Sequence, residues 1–577
     1  MKRRIASLAG VVAMCVPAAC NLWPAQPGQV DLPFAEQAQP HLLPRLLESD
    51  ARAAPQSLDE GLEALRNRPT ELEAQRPALP AAGAESLSIE AMRLLLLRGN
   101  LSLDVALYDP AIARARVGIE EGKFDAAIGA HARYAHKDLP PLDGPLVSLK
   151  SEDPALDGRC VKLTEVEQEK ELVDLGLGVT VPLPTGGSLR LEGLVAQQNL
   201  TDPQRFEQYV SATRFSISQP LLRGAGTAAN EASIRMARVD ERVATVRTKL
   251  AALQMLARAE KAYWQLYGAR RLLDVRVEQA RLANANLNLV RRRVEQGITP
   301  GVEVTRAQMG SVRQMEALIV AETMWRLRQR QLKALLASER FPLRGAPMIE
   351  TTSEPRLVGY DLDAEELAQR ALRERLDLIE LELTLLRDSF ELDWRQSLTL
   401  PLANLEFRYG TIDRDQGMAS AIAGKWDFDH QEYGIGLTFE VPFTNQRRRA
   451  ERDALLLQRA RRFATKDARA LAVRQEVYDS VDLLGQNWQR ILAARQSVIV
   501  AGANYDAEFR QFEQGMRTMR EVFEALTDLG DAQRAEISAI VDYQVAQVDL
   551  AFATGTLLGY ARVDLSPLVL PTRGTRE

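Results

Sequence analysis

Four histidines, three cysteines and a few glycine turns are the residues of this 577-residue chain whose types could carry chemistry. His41, His131, His136 and His430 contain no pair at the His-Glu-x-x-His spacing that places two imidazoles and a base on one helix face for zinc hydrolysis. His131 falls on the less apolar side of an alternating segment and His136 just beyond its end, so both read as barrel or loop residues. The turns "GGS" and "RGAG" lack the Lys-Ser/Thr that a phosphate-cradling loop needs. No Ser-His-Asp or Cys-His arrangement stands out, and the plentiful carboxylates form no evident acid/base couple. The chain therefore reads as no enzyme, with no cofactor or metal site.

Net charge is −5 and the pI about 5.8, which is not the basic footprint of a nucleic-acid binder. Lys2, Arg3 and Arg4 precede an apolar run from Ile5 to Val16 and the small residues Ala18-Ala19, the pattern of an export signal covering residues 1–19. Losing those three cations takes the charge from −5 to about −8. Cys20 directly follows Ala18-Ala19 and resembles a lipobox cysteine, although Pro17 stands where leucine is preferred. Lipidation there would hold an exported protein on a membrane without a spanning helix. No later apolar run approaches the roughly 20 residues of a membrane helix. With Cys15 removed, Cys20 and Cys160 give no internal disulfide framework.

Residues 20–86 are rich in Pro, Ala, Gln and Glu and predict a tether. After two helices broken at Gly99-Asn100, "FDAAIGAHARY" alternates Phe124, Ala126, Ile128, Ala130, Ala132 and Tyr134 against a more polar side. Thr227 to Gln296 then runs without proline, with Val239, Val243, Val246, Leu250 and Leu253 repeating at heptad-like spacing. A helix of that length is about 105 Å long, which no compact domain accommodates. "GITPG" turns it back through Glu303 to about Ala337. A linker at 341–360 follows, and the programme starts again over 361–560: helix, strands in "LPLANLEFRY" and "EYGIGLTFEVPF", a helix from about Arg447 to Gln514, a turn at "GMRTM", a return helix, and a tail at 561–577. "VEQGITPGVEV" and "FEQGMRTMREV" thus become the tips of two helical hairpins in a tandem duplication, with Gly297, Gly301 and Gly515 at the turns. Leu405, Phe407 and Tyr409 share one strand face, as do Tyr433, Ile435, Leu437, Phe439 and Val441. Such alternation suits membrane barrel staves, and a soluble sheet with one buried face would give it too.

The order helix, strands, long helix, tip, helix, given twice over about residues 87–560, resembles the TolC-type outer-membrane efflux proteins. "SQPLLRGAG", "GITPGVEVTRAQ" and "GMRTMREVFEALTDLGDAQ" carry the resemblance. It implies a mainly α fold with β, each chain one protomer of a trimeric α-barrel/β-barrel channel. The first repeat would span 87–340 and the second 361–560. It further implies a homotrimer in the outer membrane lipid of a Gram-negative-type bacterium, extending into the periplasm and docked to a periplasmic adaptor (membrane fusion protein) and an inner-membrane transporter. By position, Glu521 and Glu524 match the acidic pore gate, and six such carboxylates around one pore would favour cations. Arg517 and Glu303 match a gate latch. Phe512 replaces a tyrosine there, which removes its hydroxyl bond.

Three points stay open. "LGLGVTVPL" and "SLRLEGLVA", around "PTGG", stand where the family often has only a short loop. They are either extra staves or an extended hairpin outside the barrel. The acidic stretch from Lys137 to Asp174, with Cys160, reads as a surface loop. The alternative function is an exported coiled-coil scaffold without a pore.

Overall fold

Two glycines in the left-handed region and two proline-free runs dictate the main architecture. In the computed structural model, which describes residues 84–142, 146–148, 160–162, 166–200, 206–424, 426 and 428–561, both runs are single long helices. The export signal, Cys20, the tether up to residue 83 and the tail from residue 562 lie outside the described residues.

Strand β1 (Ala84–Leu87) leads into α1 (Ile89–Gly99) and α2 (Leu101–Glu121). Asn100 ends one helix and begins the next: its side chain accepts from the Leu103 N–H at 2.9 Å and donates to the Leu335 carbonyl at 2.7 Å. Strands β2 (Ala127–Leu142), β3 (Val166–Pro182), β4 (Ser188–Leu200) and β5 (Phe206–Pro220) follow. Helix α3 (Ala232–Glu295) then turns into α4 (Val302–Leu336). The expected linker holds a strand, β6 (Met348–Thr351), and the second repeat comprises α5 (Ala364–Glu374), α6 (Leu376–Leu398), β7 (Leu402–Asp415), the short α7 (Met418–Gly424) and β8 (Gln431–Glu440). It ends with α8 (Gln446–Glu513), α9 (Met519–Ala553) and α10 (Leu557–Ala561).

The 64 residues of α3 span about 96 Å and the 68 of α8 about 102 Å. Each is covered along its length by two shorter helices: α3 by α2 and α4, α8 by α6 and α9. The heptad-like stripe is the buried seam, with Val239, Val243, Leu253, Leu266, Leu273, Val277, Leu287 and Val290 all buried. At mid-height the two repeats are tied by a parallel pairing of β1 with β6, which places Ala84–Leu87 of the expected tether in a sheet. The buried Tyr263 hydroxyl donates to the Leu87 carbonyl at 2.9 Å and accepts from the Ser353 N–H at 3.0 Å. This tie is not legible in the sequence because four-residue strands carry too short a period to register.

All six long strands form one antiparallel sheet in the order β8-β7-β5-β4-β3-β2. The two undecided runs are therefore staves: β3 and β4 sit between β2 and β5, joined by a tight turn over Leu183–Gly186 with Pro184-Thr185 at its centre. The expected loop at Lys137–Asp174 is corrected at both ends, since β2 and β3 continue into it with Lys137 opposite Lys170, and within it, where Cys160–Lys162 pairs antiparallel with Leu146–Ser148. His136 likewise lies within β2, opposite Glu171, rather than beyond its end. Backbone ladders continue there without apolar alternation, which is the signal a period-two reading depends on.

The registers put every apolar run on one face. Ile128 faces Val179, which faces Leu191, which faces Phe215, then Tyr409 and Tyr433. Two residues along, Phe407 pairs with Ile435 on the same face. The opposite face carries His131, Arg133, Arg190, Glu192, Arg214, Glu406 and Arg408, with glycines at 129, 176, 178, 410, 434 and 436. His131 lies over Gly176, where an added Cβ would meet its ring at 2.1 Å, and its Nε2 is 3.6 Å from Asp174.

Candidate functional site at the hairpin tips

Both tips are closed by one piece of backbone chemistry. At the end of α3 the Ile298 N–H donates to the Arg293 carbonyl at 2.9 Å, across Gly297 at φ 72°. At the end of α8 the Met516 N–H donates to the Gln511 carbonyl at 2.9 Å, across Gly515 at φ 78°. This is the Schellman closure, which satisfies orphan helix carbonyls through a left-handed residue and so selects glycine. Gly301 differs: its φ is −60° and a Cβ there meets open space. Gly297→Ala and Gly515→Ala are therefore each expected to weaken their tip by about 1–2 kcal/mol, and Gly301→Ala to have no such effect. Hydrogen exchange of the Ile298 and Met516 amides measures the difference.

Beneath the turns the two hairpins share a core of Ala283, Leu287, Val290, Ala307, Phe512, Met519, Val522, Phe523 and Leu526. Gly310 of α4 admits the Phe523 ring, which a Cβ would meet at 2.5 Å. Phe512, the position expected to lack a latch hydroxyl, is only 4% exposed and belongs to this core. Over its ring, at 4.9 Å from the centroid, lies the guanidinium of Arg293. Arg293 also donates to the Phe512 carbonyl at 3.1 Å and to the Glu513 carbonyl at 3.0 Å. The last turn of α3 thus caps the last carbonyls of α8 with a cation, at the negative end of that helix. Sequence reasoning missed Arg293. The available signal was its place one turn before the first tip glycine, but nothing local pointed to a partner 219 residues away.

Glu521 accepts from the Thr518 N–H at 2.7 Å in a capping-box pattern, and from Arg517 at 2.8 Å. The Thr518 amide first, and then Arg517, hold its carboxyl below the usual carboxylate range. Glu524 pairs with Arg520 at 2.9 Å. Each acid is thereby balanced by an arginine one turn earlier, so the implied ring of carboxylates comes with an equal ring of cations. Within the protomer the structure does not bring Arg517 to Glu303. Arg517 reaches Glu521 and Glu508, while Glu303, only 7% exposed, pairs with Arg306.

At the other end of the long helices, the apolar sheet face is open. Tyr433 is 79% exposed and Ile128 77%, and Leu177, Leu191, Leu405, Leu437 and Phe439 are exposed as well. The short α7 lies against β5 and β7 without covering the rest. A sheet with its apolar side outward and its charged side inward has the polarity of a membrane stave wall. No described helix is long and apolar enough to cross a membrane.

Solved structures agree with this arrangement. The Campylobacter jejuni CmeC outer membrane channel matches 81% of this chain and 86% of its own, at TM-score 0.59 and 13% identity. The chain has the fold of the TolC-type outer-membrane channels. Two further structures with this TolC-type fold are the outer membrane protein VceC from Vibrio cholerae and the open state of the Neisseria gonorrhoeae MtrE outer membrane channel. VceC has TM-score 0.57 and 14% identity, covering 81% of this chain and 96% of its own. MtrE has TM-score 0.56 and 14% identity, covering 81% and 89%. No family model and no curated protein sequence matches the chain. The shared fold is thus kept in topology and packing at 13–14% identity.

Proposed function

We propose that the protein is a passive exit duct in the outer membrane, three copies sharing one barrel that continues into a periplasmic helical tunnel. One observation carries the reading: a six-stranded sheet with a continuous exposed apolar face and a charged opposite face, mounted on helices about 96–102 Å long. An isolated sheet of this kind exposes unpaired edges and grease to water, and closure within lipid removes both. The tips at the far end would dock a periplasmic adaptor and receive cargo from an inner-membrane transporter, so the duct itself needs no catalytic site. A coiled-coil scaffold has no use for such a sheet. In planar bilayers the purified full chain is expected to give small, cation-preferring conductance steps from a species with the mass of a trimer. A water-soluble, non-conducting protein would overturn the reading.

The acids at the tip give a sharper test. In Glu521→Ala/Glu524→Ala, Arg517 and Arg520 lose their counter-charges and the entrance turns positive, so cation preference is expected to vanish or reverse while leak increases. Unchanged selectivity would remove both residues from the gate. The pH dependence has a definite sign. A carboxyl whose folded pKa is depressed contributes stability present above its unfolded value and lost as pH falls through the folded one. The Glu521 cap should therefore persist from neutral pH through the ordinary carboxylate range and fail only in stronger acid. The Arg517–Glu303 latch belongs in this proposal to contacts between copies, where Arg517 would exchange Glu521 for Glu303.

A further inference from the structure

Sheet order and strand direction together say how the wall closes. Strand β2 begins at the helical end and β8 ends there, entering α8. With six antiparallel strands between them and including them, the two edges run in opposite directions. The free edge of β2 on one copy can therefore meet the free edge of β8 on the next and continue the antiparallel ladder around a ring. The apolar face stays outward throughout, because Ile128 on one edge and Tyr433 on the other share it.

In the trimer proposed above these two edges meet, and we infer that the closed barrel has 3 × 6 = 18 strands, with the β3–β4 hairpin built into its wall. The trimer rests on the function proposed above; the place of the hairpin does not. The alternation supports the wall position. Leu175, Leu177 and Leu191 continue the outward apolar band, while Arg190 and Glu192 face the same side as Arg214 and Arg408. A hairpin standing in water beyond the barrel would have no reason to keep that band in register with its neighbours.

The consequence is width. Strands about 4.8 Å apart and tilted about 40° give a backbone diameter of about 36 Å for eighteen strands, against about 24 Å for twelve. Barrels of about 16–18 strands leave an aqueous channel. The stave wall is then wide and lined by charged side chains, and among the described residues the tip remains the candidate narrow part of the duct.

Two experiments decide this. Deleting residues 143–205 joins β2 directly to β5 and leaves four strands per copy. The edges stay antiparallel and Ile128 still shares a face with Phe215. Access of graded polyethylene glycols from the outer side, read as their effect on conductance, is expected to fall to a cut-off diameter about a third smaller. An unchanged cut-off would place the hairpin outside the wall. Because the deletion can impair folding, cysteines introduced one at a time in the otherwise intact Cys160→Ser chain, with modification read on the peptide that carries them so that Cys20 does not contribute, give an independent reading. A charged, membrane-impermeant thiol reagent is expected to modify Glu192→Cys, facing the lumen, and to spare Leu191→Cys, facing lipid. Modification of both would overturn the proposal. Failure of the parent chain to enter bilayers would instead sink the duct itself, so the two failures are distinguishable.

Discussion

Leu437→Arg is expected to abolish membrane insertion and conductance, while Thr438→Arg, one residue on, retains both. The two positions lie on opposite faces of β8, with Leu437 opposite Leu405 and Thr438 opposite Asn404. An arginine facing lipid near the midplane costs about 2–4 kcal/mol, and three copies incur that cost at once. An arginine facing the lumen joins Arg408 and Arg190 in water. The contrast also separates the two functional readings. Leu437 is exposed in the protomer, so in a soluble scaffold the same change would be harmless. Membrane fractionation and bilayer recording on the pair of variants provide the measurement. Equal behaviour of the two would end the stave assignment.

Arg293→Ala is expected to open the resting channel. The side chain donates two charge-assisted hydrogen bonds to the end of α8 and stacks on Phe512. Such bonds are each worth about 1.5–3 kcal/mol and an exposed cation–π contact about 0.5–1 kcal/mol, partly recovered by water in the variant. A net loss of about 1.4 kcal/mol already shifts a closed–open equilibrium tenfold. Arg293→Lys should rescue little, because an ammonium cannot present two parallel donors and a stacking plane together. Phe512→Leu keeps most of the buried volume and loses the stacking, so its effect should be smaller. Open probability in single-channel records ranks the three. If Arg293→Ala stays as closed as the parent, the clamp has no part in gating.

The implied latch and the observed clamp illustrate why partner choice is hard to read along a chain. Arg517 occupies the right position for the family's arginine, yet in the protomer the nearest acids are Glu521, one turn on, and Glu508 across the turn. A long flexible cation takes whichever carboxylate or carbonyl the packing leaves within reach. Arg293 looks like one of three consecutive arginines, Arg291 to Arg293, and only the approach of α8 singles it out.

What the sequence determined by itself was local. Glycine at 297 and 515 follows from a left-handed closure involving a few neighbouring residues. The outward rows Leu405-Phe407-Tyr409 and Tyr433 to Phe439 follow from a side-chain period of two, and the rods from heptad-like stripes without proline. Those signals need no knowledge of the rest of the chain. Tertiary structure alone decided that β3 and β4 enter the wall, that Ala84–Leu87 ties to Met348–Thr351 across 264 residues (348 − 84), and that Arg293 grips the end of α8. Each of these is a choice among partners distant in sequence. Alternation says which way a side chain faces but not which strand lies beside it, and hydrogen-bonding capacity says that a partner is needed but not where folding will bring one.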